Sequence, residues 1–243
     1  MNKTVKYEIF GIKIAAVSYD ELLNSIEETI DNKQRRIISY VTANSLNIIY
    51  EDQNVKELFN RFDIIHPDGI GTSLAIRLLY GKKAGYTKIT GSDFYPMLIK
   101  AAISNDWKMF FIGDRIGVLE KIAERKKELK VCGFHDGYDL NSENVVQNVN
   151  ESNADILIVG MGCPLQERWI LDVKEKLKVS VILAVGDGIK VFAGVKARGS
   201  VIMRKFGLEW LVRLVKEPRR LWKRYLIGIP LFCIRIIRSR FSK

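Results

Sequence analysis

Up to about residue 195, short runs rich in β-branched and aromatic residues alternate with longer stretches in which apolar residues recur every three or four positions. The strand candidates are residues 37–41, 63–66, 109–112, 155–159 and 179–185. The helical stretches are residues 19–33, 46–61, 93–104, 117–129 and 166–178. This alternation predicts a Rossmann-like α/β fold with a mostly parallel sheet covered by helices. Residues 7–9 and 12–15 are predicted to form a small hairpin in front of the sheet.

The pattern changes in the C-terminal segment. Across residues 207–226, apolar side chains recur at helical spacing, and lysines and arginines follow the same period on a neighbouring face. Residues 226–234 are apolar but interrupted by Gly228 and Pro230, and they fall well short of the ~20 residues that span a bilayer. The pattern predicts a core at residues 1–195 and a basic helical appendage at residues 196–243.

The distribution of charge divides the chain into the same two parts. The net charge is +11, and residues 196–243 contain 14 of the 39 lysines and arginines but only 2 of the 28 acidic residues. This asymmetry indicates a polyanionic partner, either nucleic acid, an anionic membrane surface or a phosphorylated substrate, with a merely solvated helix face as the alternative. Because the basic residues are interspersed with leucine, isoleucine and aromatic residues, the segment favours a membrane surface over nucleic acid.

Composition excludes several classes of protein. With 47% hydrophobic and 28% charged residues, the chain is neither disordered nor fibrous, and 243 residues can bury a core without disulfides. Three widely spaced cysteines and two histidines predict neither a disulfide framework nor a structural zinc site, so these residues are interpreted as structural. The first 20 residues contain no continuous apolar stretch typical of a signal peptide, so we expect a cytoplasmic protein.

Polar and glycine residues follow the predicted strands. They lie at positions 42–44, 67–69, 113–114, 160–162 and 186–188. Carboxyl ends of parallel strands meet at one edge of a sheet, where such turns bind phosphate groups, although a single turn of this kind also occurs for backbone reasons alone. The chain has no Walker loop, no G-x-S-x-G elbow and no complete G-x-G-x-x-G fingerprint, which disfavours an ATPase, a serine hydrolase and a nicotinamide-dependent oxidoreductase.

Six segments, taken in order, resemble the WecG/TagA/CpsF glycosyltransferases of bacterial cell-surface polymer synthesis. They are TAN at 42–44, HPDGIG at 66–71, TKITGSD at 87–93, GMGCPLQERW at 160–169, VGDGIKVFAG at 185–194 and GLEWLVRLVKEPRRLWKRY at 207–225. The resemblance implies an inverting transfer, without metal or other cofactor, from a UDP-sugar to a polyprenyl-diphosphate-linked sugar. It also implies a peripheral enzyme on the cytoplasmic face of the membrane, whose appendage completes the active site.

The resemblance points to individual residues. Asp68 matches the family's catalytic aspartate and is the candidate general base, with a helix cap as the alternative role. The candidate substrate-binding residues are Thr42, Asn44, Lys88, Gln166, Arg213, Arg220 and Arg224. Thr42 or Asn44 equally fits a helix cap, and Lys88 occupies a position where arginine is expected. The candidate nucleotide-binding residues are Gly113, Tyr138 and Asp187.

Some alternatives stay open at this stage. The chain lacks D-x-D, the motif with which many nucleotide-sugar enzymes hold a divalent metal, so a transferase would neutralise its leaving diphosphate with arginines. The resemblance implies a donor sugar of the N-acetylmannosamine, N-acetylmannosaminuronic acid or glucose type, and the sequence leaves the choice among them open. A non-catalytic α/β module that binds membranes or nucleic acid is the competing function. A homo-oligomer that covers the apolar face of the appendage is also open.

Overall fold

A six-stranded parallel sheet forms the centre of the molecule in the computed structural model, which describes residues 5–81, 90–138, 141–196 and 209–241. The hairpin strands are β1 (Lys6–Ile9) and β2 (Ile12–Ala15), as predicted. The sheet strands are β3 (Arg36–Val41), β4 (Ile64–Pro67), β5 (Lys108–Gly113), β6 (Lys130–His135), β7 (Ile156–Gly160) and β8 (Val181–Ala184). Their order is β4-β3-β8-β7-β5-β6, and every neighbouring pair is parallel, which confirms the predicted fold class.

Helices cover both faces of this sheet. Those in the described part of residues 5–196 are α1 (Tyr19–Asp31), α2 (Ala43–Glu51), α3 (Gln53–Asn60), α4 (Gly69–Tyr80), α5 (Gly91–Ser104), α6 (Ile116–Arg125), α7 (Ser142–Glu151), α8 (Leu165–Val173) and α9 (Ile189–Phe192). Successive strand residues alternate between two buried clusters: Phe110 belongs to the cluster under α2, α3 and α8, whereas Met109 and Phe111 belong to the cluster under α1, α5 and α6. Central strands are therefore continuously apolar, which made them recognisable in the sequence.

Four features differ from the sequence prediction. The helix expected at residues 46–61 is divided into α2 and α3, because Asp52 has an extended backbone and its carboxylate accepts from the N–H groups of Asn54 and Val55. The pattern did not predict β6, whose residues are only partly buried at the sheet edge. It also did not predict α4 (Gly69–Tyr80), whose first turn contains two glycines, or the polar helix α7.

The C-terminal segment is helical and packs against the body. Its described residues 209–241 form α10 (Glu209–Lys216), α11 (Pro218–Trp222), a π-helical turn (Lys223–Ile227) and α12 (Gly228–Phe241). Gly228 and Pro230, which interrupt the apolar run in the sequence, both lie in α12, and the π turn ends at Ile227, three residues before the proline, whose missing N–H disturbs regular helix bonding. Phe232 and Ile236 are buried in the same cluster as α2. No helix within the described ranges is long and apolar enough to span a bilayer.

Candidate functional site

Two adjoining cavities lie at the carboxyl ends of the strands, beneath the C-terminal helices. The first, of about 260 Å³, is surrounded by strand-end loops and is called the polar cavity. The second, of about 510 Å³, lies between α4 and α12 and is called the apolar cavity. The residues that line both are Thr42, Asn44, Asp68, Ser92, Lys196, Arg213 and Arg224. These shared residues form the junction of the two cavities.

Asp68 lies at this junction, between β4 and α4. Its backbone N–H donates to the carbonyl of Val41 at 2.8 Å, which continues the β3–β4 pairing by one residue. Although Asp68 occupies the N-cap position of α4, its side chain makes no capping bond; instead, Oδ1 accepts from the backbone N–H of Gly91 at 3.0 Å. The structure therefore does not show the Asp68 side chain capping α4. Instead, the start of α5 orients the Asp68 carboxylate toward both cavities.

Thr42 and Asn44 are also brought to the junction, with different local roles. Thr42 caps α2: its Oγ1 accepts from the N–H of Ser45 at 3.2 Å, while Ser45 Oγ accepts from the N–H of Thr42 at 2.7 Å. Asn44 lies in the first turn of α2 and lines both cavities. Thr42 is therefore the residue that caps α2, and it also lines both cavities.

Gln166 requires a correction, because it does not face either cavity. Its side chain is fully buried; Oε1 accepts from the N–H groups of Gly186 at 2.9 Å and Gly162 at 3.3 Å, and Nε2 donates to Glu167 Oε1 at 2.8 Å. Burial raises the pKa of the Glu167 carboxyl above its usual range, with hydrogen bonds from Gln166 and Ser39 acting in the opposite direction. Gln166 thus joins the loops after β7 and β8 rather than contacting a sugar.

A cluster of cations surrounds Asp187 in the loop after β8. Arg213 Nη2 lies 2.6 Å from Oδ2, Lys190 Nζ lies 3.4 Å from Oδ1, and Lys196 and Arg220 follow at 3.8 and 3.9 Å. Burial alone raises the pKa of Asp187, but Arg213, Lys196, Lys190 and Arg220 together outweigh it, so the net pKa is lowered. The structure therefore brings Asp187, Arg213 and Arg220 together, as one charged group.

Two of these cations were missed as site residues by the sequence reasoning. Lys190 also lies 3.7 Å from Asp114, the residue after β5, so it links two strand-end loops. Lys196 lines both cavities. In the sequence, Lys190 could have been noticed because it closely follows the glycines of the 185–194 segment. Lys196 could have been noticed because it is the first cation of the basic appendage.

Arg224 lies at the junction of the two cavities. Its guanidinium lies 5.7 Å from the ring centroid of Tyr225, and the side chain is half-buried. Within the described part of the chain it forms no salt bridge with a carboxylate, in contrast to Arg213 and Arg220. Its charge is therefore directed to the space that both cavities share.

The remaining candidate residues have separate positions. Tyr138 is 79% exposed at the rim of the polar cavity, and its N–H donates to Asp136 Oδ1 at 2.7 Å. Gly113 is not among the residues that line the two cavities; a Cβ atom there would lie 2.4 Å from the carbonyl oxygen of Gly160, so the glycine allows close packing of β5 against β7. Lys88 lies outside the described residues.

The fold and site define a class: an α/β protein with a carboxylate between a cation-rich cavity and an apolar one, as suits an enzyme that acts on phosphorylated and lipid-like groups. The chain belongs to the glycosyl transferase WecG/TagA/CpsF family, whose model matches residues 7–243. This confirms the resemblance stated above. Similar proteins include N-acetylglucosaminyldiphosphoundecaprenol N-acetyl-beta-D-mannosaminyltransferases of Staphylococcus aureus strains MW2 and COL, each 29% identical over 98% of this chain and 95% of its own length.

Proposed function

We propose that this glycosyltransferase moves an N-acetylmannosamine- or glucose-type sugar from a UDP-sugar to a polyprenyl-diphosphate-linked sugar, with inversion and without a metal ion. The product enters cell-surface polysaccharide or teichoic acid synthesis. The observation that carries the proposal is the position of Asp68, whose carboxylate lies where the polar and apolar cavities meet. The printed names of the relatives favour N-acetylmannosamine as the sugar and an N-acetylglucosaminyl-diphosphate lipid as the acceptor.

The polar cavity suits the donor. Among the described residues it is lined by five basic side chains and three carboxylates, so it attracts an anion. In this proposal Arg224 and the cations around Asp187 bind the diphosphate, and Tyr138 stacks on the uracil from the rim. Across the described ranges no three His, Cys, Asp or Glu side chains form a group suited to a metal ion. Protein cations at this place supply the charge that a divalent metal supplies in other transferases.

Asp68 suits the role of general base in a single displacement. The acceptor hydroxyl loses its proton to the Asp68 carboxylate as its oxygen forms a bond to C1 of the sugar. The bond from C1 to the phosphate oxygen breaks at the same time, and UDP leaves with the electron pair. Attack from the face opposite UDP inverts the configuration at C1, so that an α-linked donor gives a β-linked product, in keeping with the relatives' names.

The appendage at residues 196–243 completes the site in this proposal. Lys196, Arg213 and Arg224 come from it and line both cavities. Its outer surface carries the exposed apolar residues Leu226 and Ile227 among its basic residues, a composition that suits the headgroup region of an anionic membrane. In this proposal the protein acts as a peripheral enzyme on the cytoplasmic face of the cell membrane.

The test is release of UDP from a panel of UDP-sugars in EDTA, with an N-acetylglucosaminyl-diphosphate acceptor that carries a short prenyl chain. Acceptor-dependent release from one donor supports the proposal and identifies the sugar. Release that requires added Mg²⁺ or Mn²⁺ contradicts the metal-independent mechanism. Neither release nor UDP binding by the intact protein rejects the transferase and favours the membrane-binding module.

A further inference from the structure

The apolar cavity is larger than the polar cavity and has a wall unsuited to sugars. On α4, Ile70, Leu74 and Leu78 follow at intervals of four residues and form one continuous stripe. The facing wall belongs to α12, from which Ile229 and Ile237 project into the same space. Such a groove attracts hydrocarbon rather than hydroxyl groups.

These groove residues are accessible rather than covered by the protein. Leu74 is 55% exposed and Ile237 is 48% exposed, and Ile70 and Leu78 are each more than one third exposed. Scattered exposed apolar residues are common, but a contiguous stripe facing a second apolar helix is typical of a binding site. The groove therefore requires an apolar occupant.

The position of the groove selects that occupant. Its inner end opens at Asp68, Arg213 and Arg224, which also line the polar cavity. A molecule with a hydrocarbon chain, a diphosphate and a sugar in that order fits the arrangement, with the hydrocarbon between α4 and α12, the sugar hydroxyl at Asp68 and the diphosphate between these two positions. At the outer end Arg240 donates to the carbonyl of Leu78 at 3.0 Å, which puts a cation there that is suited to an anionic headgroup.

We propose that the groove between α4 and α12 binds the first isoprene units of the lipid acceptor, and this inference rests on the proposed function. The stripe from Ile70 to Leu78 extends about 12 Å along α4, so it holds only the part of the chain next to the diphosphate. The rest of the chain stays in the bilayer. The groove then recognises a polyprenyl anchor and positions its sugar, in addition to any general attraction to the membrane.

The variants are Leu74→Ser and Ile237→Ser, with Ile234→Ser as the matched control. Ile234 lies on the same helix as Ile237 and is also 48% exposed, but it does not line the cavity. Two acceptors with the same N-acetylglucosaminyl diphosphate are compared in detergent micelles, one with several isoprene units and one with a single unit. We expect the two groove variants to raise the KM for the longer acceptor about 10- to 100-fold, the range given by loss of one buried aliphatic side chain.

The KM values for the short acceptor and the UDP-sugar, and all constants of Ile234→Ser, are expected to stay at the wild-type level. Equal effects on both acceptors, or no effect, overturn the proposal. An effect confined to liposome binding also overturns the proposal and assigns the groove to the bilayer surface. An effect confined to sedimentation overturns it too and assigns the groove to a second copy of the chain. If no donor supports transfer by the wild type, the proposed function fails separately, and the groove is tested alone.

That separate test uses farnesyl diphosphate, with binding followed by the fluorescence of Trp210, which lines the cavity. A Trp210→Phe variant identifies the signal. Binding that is weakened by Ile237→Ser and retained by Ile234→Ser supports the groove, whereas equal binding by all proteins overturns it.

Discussion

Arg213 Nη2 lies 2.6 Å from Asp187 Oδ2, and this ion pair joins α10 of the C-terminal segment to the loop after β8. Both side chains are mostly buried, at 19% and 24% exposure, so the pair is screened less by solvent than a surface pair. Three further cations also form ion pairs with Asp187, so its carboxylate holds a cluster of positively charged side chains at the polar cavity. One acidic residue of the body thus positions the cations of the appendage.

Acidification is expected to weaken this connection. The pKa of Asp187 is lower in the folded protein than the usual value of about 3.9, so its contribution to stability is complete above that pH and is lost as the pH falls through the lower folded-state pKa. In Asp187→Asn the free energy of unfolding is expected to be smaller at pH 7 and to approach that of wild type in strong acid. Denaturant titrations across pH test this, with exposed Asp31→Asn as the control. A constant difference from neutral to acid contradicts it.

Asp68→Asn tests the general base. The amide oxygen retains the bond from the Gly91 N–H, so the melting temperature and UDP binding are expected to match wild type. Transfer is expected to slow by on the order of 10²- to 10⁴-fold, because a positioned base contributes that much. Single-turnover measurements with saturating donor separate this loss from substrate binding. Full turnover by Asp68→Asn would show that another group accepts the proton.

Arg224→Ala tests the cation at the junction. Because Arg224 has no carboxylate partner in the described ranges, its removal is expected to leave the fold intact and to lower kcat/KM by about 10- to 100-fold, the value of one charge-assisted hydrogen bond of about 1.5–3 kcal/mol. The matched control is Arg219→Ala, since Arg219 is exposed in the same segment and lines neither cavity. Steady-state kinetics of both variants provide the comparison. Similar losses in the two would assign the effect to overall charge.

Gln166→Leu distinguishes a positioning residue from one that binds sugar. The substitution leaves the buried N–H of Gly186 without its side-chain partner, which costs about 1–3 kcal/mol, and it removes the Gln166 hydrogen bond to Glu167, which keeps the one from Ser39. We expect a lower free energy of unfolding together with lower turnover. Gln147→Leu is the control, because Gln147 forms an amide-to-carboxylate bond at an exposed site on α7. Unchanged stability with a raised donor KM would restore the sugar-binding role.

The double substitution Leu226→Ser and Ile227→Ser tests membrane attachment. These residues are 58% and 52% exposed beside basic side chains, so the variant is expected to bind anionic liposomes several-fold more weakly and to remain folded. Cosedimentation with liposomes, repeated at higher salt, measures both the apolar and the electrostatic part of binding. Ile116→Ser, at an exposed position on α6, is the control. Equal cosedimentation of all three proteins would place the membrane contact elsewhere.

Several features of this protein were determined by local sequence alone. The central strands were predictable because a strand buried on both faces is continuously apolar, as in Val181–Ala184. The position of Asp68 at the binding edge followed from its place directly after a predicted strand. The edge strand β6 and the polar helix α7 were not predicted, because partial burial leaves a weak hydrophobic pattern in the sequence. Local periodicity reports how an element is buried, and it is clear only where burial is strong.

Only the tertiary structure decided which side chains share a space. Gln166 and Glu167 are adjacent polar residues in the sequence, yet packing buries both and uses the Gln166 amide to join two loops. Likewise, the apolar residues of α4 and α12 are separated by more than 150 positions and form one cavity. Sequence patterns specify periodicity along one segment, whereas a site depends on contacts between distant segments. Those contacts are set by how the helices pack on the sheet.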